Sequence, residues 1–256
     1  MSLAHAPRPA TGPGHPPILD LDRTALFLDV DGTIADLEAT PEAVGPASVP
    51  GGLLDALSQR LGGRLAVVSG RALADLDRVF EGRVTAVAAV HGLVRRRIDG
   101  QVIERAGPGP VAEALADLKA LAKADPGLLV EDKGAAVALH YRRHPDAGPA
   151  CRDLAHRLGE RLALPVLEGD MVVELRAPGP DKGAAVAAFM AEAPFAGHAP
   201  VFVGDDLTDE DGFRAAQRMG GFGVVVGARR PTTAEYAVAG VAAARAWLAA
   251  AVERER

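Results

Sequence analysis

Short apolar runs alternate along the chain with apolar residues at helical spacing. The runs Leu26–Val30, "RLAVVS" at 64–69, "VAAVHG" at 87–92, "PVFVG" at 200–204 and "GFGVVVG" at 221–227 are bounded by glycine, serine or charged residues. Their length and flanks predict buried strands. Between them, Leu53, Leu54, Leu57 and Leu61 share one helical face, and Leu73, Leu76 and Phe80 share another. Those stripes predict helices with one buried side. A further helix opens at Lys182-Gly183, and the last carries Trp247 and Leu248. Apolar strands separated by helices predict a parallel sheet covered on both faces, a Rossmann-like α/β core.

The period changes near residue 95. "RRRIDGQVIER" at 95–105 sets Asp99-Gly100 between two extended runs, a hairpin signal. A helix follows over about 111–124. "LLVEDKGAAVALHYR" at 128–142 and "LPVLEGDMVVELR" at 164–176 each read as strand, tight turn, strand, with Lys133-Gly134 and Gly169-Asp170 at the turns. A second helix carries the stripe Cys151, Leu154, Leu158 and Leu162. Residues 95–176 therefore read as an antiparallel sheet with two helices, inserted as an α/β cap domain into a core formed by 18–94 and 177–256.

Side chains alternate faces along a strand. Glu131 shares a face with Lys133, His140 with Arg142, and Glu174 with Arg176. Val130, Val137, Leu139, Val173 and Leu175 take the opposite face and are expected to pack beneath the two helices. The polar face is then free to look toward the core. Its charges suit a sugar better than a lipid or an aromatic ligand, although an ordinary solvated sheet face has the same pattern.

Composition narrows the function classes. The chain has 256 residues, 48% hydrophobic and 24% charged, the profile of a soluble globular protein. Net charge is −6, and the densest basic run, Arg95-Arg96-Arg97, borders the first hairpin, so a nucleic-acid partner is not expected. No apolar run is long enough to span a bilayer, and no membrane partner is expected. The lone Cys151 cannot form an internal disulfide, which suits the reducing cytoplasm. Its place in an apolar stripe reads as a small core residue rather than a catalytic thiol. Residues 1–17 are rich in proline, glycine and alanine, lack the apolar centre of a signal peptide, and read as a disordered leader.

Candidate chemistry gathers at strand ends, where ligands bind in open parallel sheets. Asp29 and Asp31 close the first strand, and Ser69-Gly70-Arg71 the second. Lys182 opens the helix after the insertion, and Asp205-Asp206 follow "PVFVG". Carboxylates in such places are costly to bury unless paired or bound to a metal. Asp29 is the candidate nucleophile for covalent phosphoryl transfer. Asp29, Asp205 and a backbone carbonyl offer hard oxygens to Mg²⁺. Lys182, Ser69 and backbone N–H groups are placed to neutralise phosphoryl oxygens. Asp31, two residues after Asp29, is the candidate general acid and base. Simpler roles exist for each group alone: a turn at Ser69-Gly70, a solvated Lys182, and a capping box from Thr208 and Asp211 in "GDDLTDED". The capping role is compatible with metal binding by Asp205. EF-hand spacing fails, because the glycine after Asp29 comes too early and Thr40 stands where the bidentate glutamate belongs.

Asp29-Val30-Asp31-Gly32-Thr33 resembles the signature of the haloacid dehalogenase superfamily of aspartate-nucleophile phosphatases. Ser69, Lys182 and Gly204-Asp205-Asp206 match its other motifs in order. At finer grain, "VSGR" at 68–71, "HG" at 91–92, "VEDKG" at 130–134, "ALHYR" at 138–142, "VVELR" at 172–176, "DKG" at 181–183 and "GDDLTDE" at 204–210 together resemble the trehalose-6-phosphate phosphatase family. The likeness runs from about residue 22 to the last strand. It implies hydrolysis of trehalose 6-phosphate with Mg²⁺ as cofactor, and a trehalose-phosphate synthase in the same pathway. It implies Asp29, Asp31, Ser69, Arg71 and Lys182 as catalytic residues. Asp29, Asp31, Asp205 and Asp206 are implied at the metal, with Asp209 nearby. Glu131, Lys133, Glu174, His91 and Gly92 are implied at the substrate. One departure stands out: Leu93-Val94 replaces the pair, often Ala-Glu, that commonly follows the His-Gly.

Two competing readings remain at this level. One is a phosphatase of the same architecture acting on sucrose phosphate or a mannosyl-phosphoglycerate, which the core motifs alone do not exclude. The other is a receiver module that holds aspartyl phosphate as a signal, for which a sugar-facing insertion and an acid/base at Asp31 serve no purpose.

Overall fold

The computed structural model describes residues 13–104, 109–228 and 231–254. Its first strand, β1 (Thr24–Leu28), is buried along its length. Leu26 and Leu28 face one apolar core while Ala25 and Phe27 face another. The chain continues through α1 (Gly51–Arg60), β2 (Leu65–Val68), α2 (Leu73–Phe80), β3 (Ala86–Ala89), β4 (Val94–Arg96) and β5 (Val102–Glu104). Next come α3 (Gly109–Ala124), β6 (Leu129–Asp132), β7 (Ala136–His140), α4 (Gly148–Leu162), β8 (Val166–Gly169) and β9 (Val172–Arg176). The last section holds α5 (Lys182–Met190), β10 (Ala199–Gly204), α6 (Asp209–Arg218), β11 (Phe222–Val226), β12 (Tyr236–Val238) and α7 (Val241–Glu253).

The large sheet has the order β12-β11-β10-β1-β2-β3-β4-β5. It is parallel from β12 to β3. The chain winds from β1 through β2 and β3 on one side and from β10 through β11 and β12 on the other. Strand order therefore reverses at the β1–β10 pair, and a crevice opens at the carboxyl ends of those two strands. Phe27, Phe189 and Phe195 pack their rings with centroids 5.3–6.2 Å apart under one face. The α/β core with a separate antiparallel unit is the expected architecture.

The second sheet, β6-β7-β9-β8, is antiparallel throughout. Helices α3 and α4 pack on it. Val137, Leu139, Val173 and Leu175 are fully buried in the adjoining core, as their alternation predicts. Among the described residues no helix is long and apolar enough to cross a membrane.

Three expectations are corrected. The hairpin at 95–105 was expected in the inserted sheet, but β4 pairs antiparallel with β3 and extends the large sheet. Arg95 anchors it there: its guanidinium donates to both oxygens of Glu192 at 2.8 and 3.0 Å and lies 4.9 Å from the centre of the Phe189 ring. The strand expected through Gly92 stops at Ala89, because Val90, His91 and Gly92 all take positive φ, at 48°, 56° and 104°. Lastly, part of the leader is ordered. Ala237 N–H donates to the Gly14 carbonyl at 2.8 Å, and the Trp247 indole donates to the Pro17 carbonyl at 2.8 Å. The free edge of β12 offers unpaired backbone groups that this segment satisfies. Residues 1–12 of the expected leader lie outside the described residues.

Candidate active site

Asp29 follows β1 at the crevice and is 5% exposed. Its N–H donates to the Val203 carbonyl at 2.9 Å, so its backbone position is fixed by the neighbouring strand. Lys182, at the first turn of α5 and 2% exposed, donates to Asp29 Oδ1 at 2.9 Å and to Asp209 Oδ1 at 2.6 Å. The N-cap of α5 is Asp181, whose carboxylate accepts from Ala184 N–H at 2.7 Å. That cap holds the start of α5 in register with β1.

Asp209 is fully buried, and its Oδ2 accepts from the N–H groups of Asp205 and Asp206, both at 2.9 Å. This closes the loop between β10 and α6 and turns Asp205 toward Asp29. The Thr33 hydroxyl donates to Asp205 Oδ1 at 3.1 Å. Gly32 has φ 75°, and a Cβ there would land on the Asp205 carboxylate, so glycine is needed both for the turn and for the approach. Carboxylate oxygens of Asp29, Asp205 and Asp209 lie within 4.8 Å of one another.

Three carboxylates thus face one ammonium. Burial, with the charges of Asp209, Asp205 and Asp31, pushes Asp29 well above the usual carboxylate range against the pull of Lys182. Burial and then Asp209 push Asp205 up to about 7. Burial opposes the charge on Lys182, but Asp209 and Asp29 outweigh it and raise its pKa. A cluster of hard oxygens carrying excess negative charge fits a divalent cation that prefers oxygen, such as Mg²⁺.

The membership of that cluster differs from expectation. Asp31 and Asp206 were expected at the metal and are not in it. Each oxygen of Asp31 accepts from Arg71, from Nε and Nη2 at 2.7 Å, and this carboxylate is not grouped with Asp29, Asp205 and Asp209. Asp209, expected only nearby, is a member. Its signal in the sequence was its spacing, four residues after Asp205 across a helix start. The capping box from Thr208 and Asp211 does not form: Thr208 is the N-cap of α6 but makes no cap bond, and its buried hydroxyl has no hydrogen-bond partner among the described residues.

The inserted sheet supplies the opposite wall. Glu131, Ala138, Glu174 and Leu167 lie side by side across β6, β7, β9 and β8. The small Ala138 leaves room between the two glutamates. Lys133 fills it, donating to Glu174 Oε2 at 2.6 Å and lying 3.8 Å from Glu131 Oε2. His140 Nε2 is 2.9 Å from the same Glu131 oxygen. Burial opposes the charge on Glu174, yet Lys133 and His91 outweigh it and hold the carboxyl well below its usual range. His91 comes from the core: the left-handed turn at 90–92 carries its ring over Gly70, with Nε2 3.3 Å from Glu174 Oε1. Burial lowers the His91 pKa despite Glu174. Among the described residues Glu174 Oε1 has only the His91 contact at 3.3 Å, and His91 Nδ1 is buried without a hydrogen-bond partner. Such atoms await a polar ligand or close one off.

Between the two walls lies a cavity of about 290 Å³. Asp29, Asp31, Ser69, Arg71, His91, Glu131, Lys133, Glu174, Lys182, Asp205 and Asp206 all line it. Gly92, also expected at the substrate, does not. It packs behind the wall, where a Cβ would come within 2.7 Å of the Asp181 carbonyl oxygen. Its role is to let the chain leading into α5 pass.

The trehalose-phosphatase family model matches residues 27–242. A probable trehalose-phosphate phosphatase of Sinorhizobium fredii is 43% identical over 89% of this chain and 86% of its own length. The trehalose-6-phosphate phosphatase of Escherichia coli is 40% identical over 88% of this chain and 85% of its own. A crystal structure of a trehalose-6-phosphate phosphatase related protein is similar with a TM-score of 0.77 and 26% identity, covering 90% of this chain and 97% of that one. With matches of this extent, and a fold that sets an aspartate, a lysine and an acidic loop around one crevice, the chain belongs to the trehalose-phosphatase family of phosphomonoesterases.

Proposed function

We propose that the chain hydrolyses trehalose 6-phosphate to trehalose and phosphate through a phosphoryl group carried on Asp29. The observation that carries this reading is the buried Asp29, bound by Lys182 and grouped with Asp205 and Asp209, on the floor of a cavity whose other wall is the Glu131–Lys133–Glu174 face. Asp29 attacks phosphorus as the bond to the sugar oxygen breaks, and Asp31 gives that oxygen its proton. Asp31 then takes a proton from water as the water attacks the phosphoryl-aspartate, releasing phosphate and restoring Asp29. Lys182 and Ser69 balance charge on the phosphoryl oxygens. Asp29, Asp205 and Asp209 would hold Mg²⁺, which when bound supplies further neutralisation of that charge.

Residues from α3 to β9 act in this reading as the cap that selects the sugar. The reading also includes a cytoplasmic location and a trehalose-phosphate synthase as the source of substrate. Phosphate release measured on trehalose 6-phosphate, sucrose phosphate and a mannosyl-phosphoglycerate, with and without EDTA, tests it. Trehalose 6-phosphate should have the highest kcat/KM by at least tenfold, with activity lost in EDTA and restored by Mg²⁺. Faster hydrolysis of another sugar phosphate overturns the substrate, and full activity in EDTA overturns the metal.

A further inference from the structure

Arg71 is nearly fully buried and stands between two carboxylates, one in the crevice and one on α2. Its Nε–Nη2 edge forms the fork on Asp31. Its Nη1 corner donates to Asp75 and, at 2.9 Å, to the Pro41 carbonyl. Asp75 is also bound by Arg78 from the next turn of α2. A guanidinium has more than one edge that a carboxylate can grip. With Nη1 occupied by Asp75 and the Pro41 carbonyl, one edge remains for Asp31. The fork uses one lone pair on each Asp31 oxygen and fixes the plane of the carboxylate. Each oxygen keeps a second lone pair, and Asp31 remains 32% exposed and lines the cavity. That is the arrangement a proton donor and acceptor needs: a fixed plane and a free position on the reacting side.

We infer that Asp75 is a positioning residue for the phosphoryl-transfer chemistry. It fixes Arg71, and Arg71 fixes the carboxylate plane of Asp31. The inference rests on the acid/base reading of Asp31. The spacing of Arg71 and Asp75, four residues apart at the start of α2, sets their contact, and nothing in the motifs singles Asp75 out. The fork is the point of the arrangement: a lysine at position 71 would keep the charge but could not grip both oxygens in one plane.

The test compares kcat/KM on trehalose 6-phosphate and on p-nitrophenyl phosphate for Asp31→Asn, Arg71→Lys, Asp75→Ala and the double variant Asp31→Asn/Asp75→Ala. With a covalent intermediate, kcat/KM reports the steps up to loss of the leaving group. A sugar oxygen needs a proton to leave, and p-nitrophenolate does not. Asp31→Asn should therefore lower the sugar-phosphate value by about 10²–10⁴ and the aryl-phosphate value far less. Arg71→Lys should show the same split at about 10- to 100-fold, because misplacement of about 1 Å can cost about a hundredfold. Asp75→Ala should show it at about 5- to 20-fold, on the same principle. In the double variant Asp75→Ala should add no further loss, since its only route is through Asp31. Multiplying losses in the double variant, or equal losses on the two substrates in folded single variants, overturns the inference. If Asp31→Asn leaves sugar-phosphate hydrolysis intact, the acid/base reading itself falls and takes the inference with it. If Asp31→Asn shows the split while Arg71→Lys and Asp75→Ala do not, only the inference falls.

Discussion

Lys182 and Asp29 meet at 2.9 Å although 153 residues separate them. The pair ties the start of α5 to the end of β1, on either side of the inserted sheet. Its ammonium also serves Asp209, so one buried cation holds two buried anions. Replacing it with Lys182→Met should abolish turnover and leave those anions uncompensated. Breaking a buried pair in this way costs about 3–5 kcal/mol. Mg²⁺ should then stabilise the variant more than the wild type, because a competing positive charge has left the cluster. Urea unfolding of both proteins, with and without Mg²⁺, measures this. An equal or smaller Mg²⁺ effect in the variant would mean that Lys182 does not share its field with a metal.

The carboxylate cluster carries a pH signature. Asp205 is pushed up to about 7 from its usual 3.8 by burial and Asp209. Between those values the folded protein holds a proton that the unfolded chain has released. Stability in EDTA therefore falls, on account of this group, as pH rises from about 4 through about 7. His91 contributes with the opposite sign below its usual pKa, since burial lowers it, so the useful quantity is a difference. Compared with the wild type, Asp205→Asn should gain relative stability as pH rises from about 4 through about 7 in EDTA. Saturating Mg²⁺ should shrink that gain by replacing the proton. Parallel stability curves for the two proteins would show that Asp205 feels no such field.

The chemistry-bearing strand ends were legible because each joins two strong signals, an apolar run and a charge that has no cheap reason to sit there. Asp29, Lys182 and Asp205 came from that logic and meet in the structure. Alternation in the inserted strands likewise predicted that Glu131, Lys133 and Glu174 face one way. What the pattern did not carry was the choice among neighbours. Asp31, Asp206 and Asp209 are equally acidic in a sequence, and only the turn into α6 and the grip of Arg71 decide which carboxylates meet. The hairpin β4–β5 departs from its expected sheet for a similar reason. A hairpin signal is local, whereas its partner is set by Arg95 reaching Glu192 far along the chain. A motif points to His91, but the left-handed turn that delivers it begins at Val90, a β-branched residue that rarely takes positive φ. Backbone conformations that the side chains disfavour are invisible to propensity and tend to mark functional sites.

In the proposed function the crevice takes the phosphoryl group and the cation, which leaves sugar selection to the inserted sheet. Carboxylates that accept from sugar hydroxyls make hydrogen bonds worth about 1.5–3 kcal/mol each when desolvated. Losing one should lower kcat/KM for trehalose 6-phosphate by roughly 10- to 150-fold. The three residues are not equivalent tests. Lys133 sits between Glu131 and Glu174, so Lys133→Ala leaves the buried Glu174 carboxylate facing the half-buried Glu131 and should cost stability as well as affinity. Glu174 lies against His91 of the core, so Glu174→Ala also alters the contact between the two walls. Among the described residues Glu131 makes its hydrogen bond and its ion pair within the inserted sheet, to His140 and Lys133. Glu131→Ala is therefore the cleanest probe. It should lose trehalose 6-phosphate hydrolysis in the stated range while p-nitrophenyl phosphate, which has no sugar to hold, changes less than about twofold. Part of the loss should appear in kcat, because binding energy from a remote sugar also positions the reacting group. Equal losses on both substrates would assign Glu131 to folding rather than to the sugar. No loss on either would move sugar recognition elsewhere on the cavity wall.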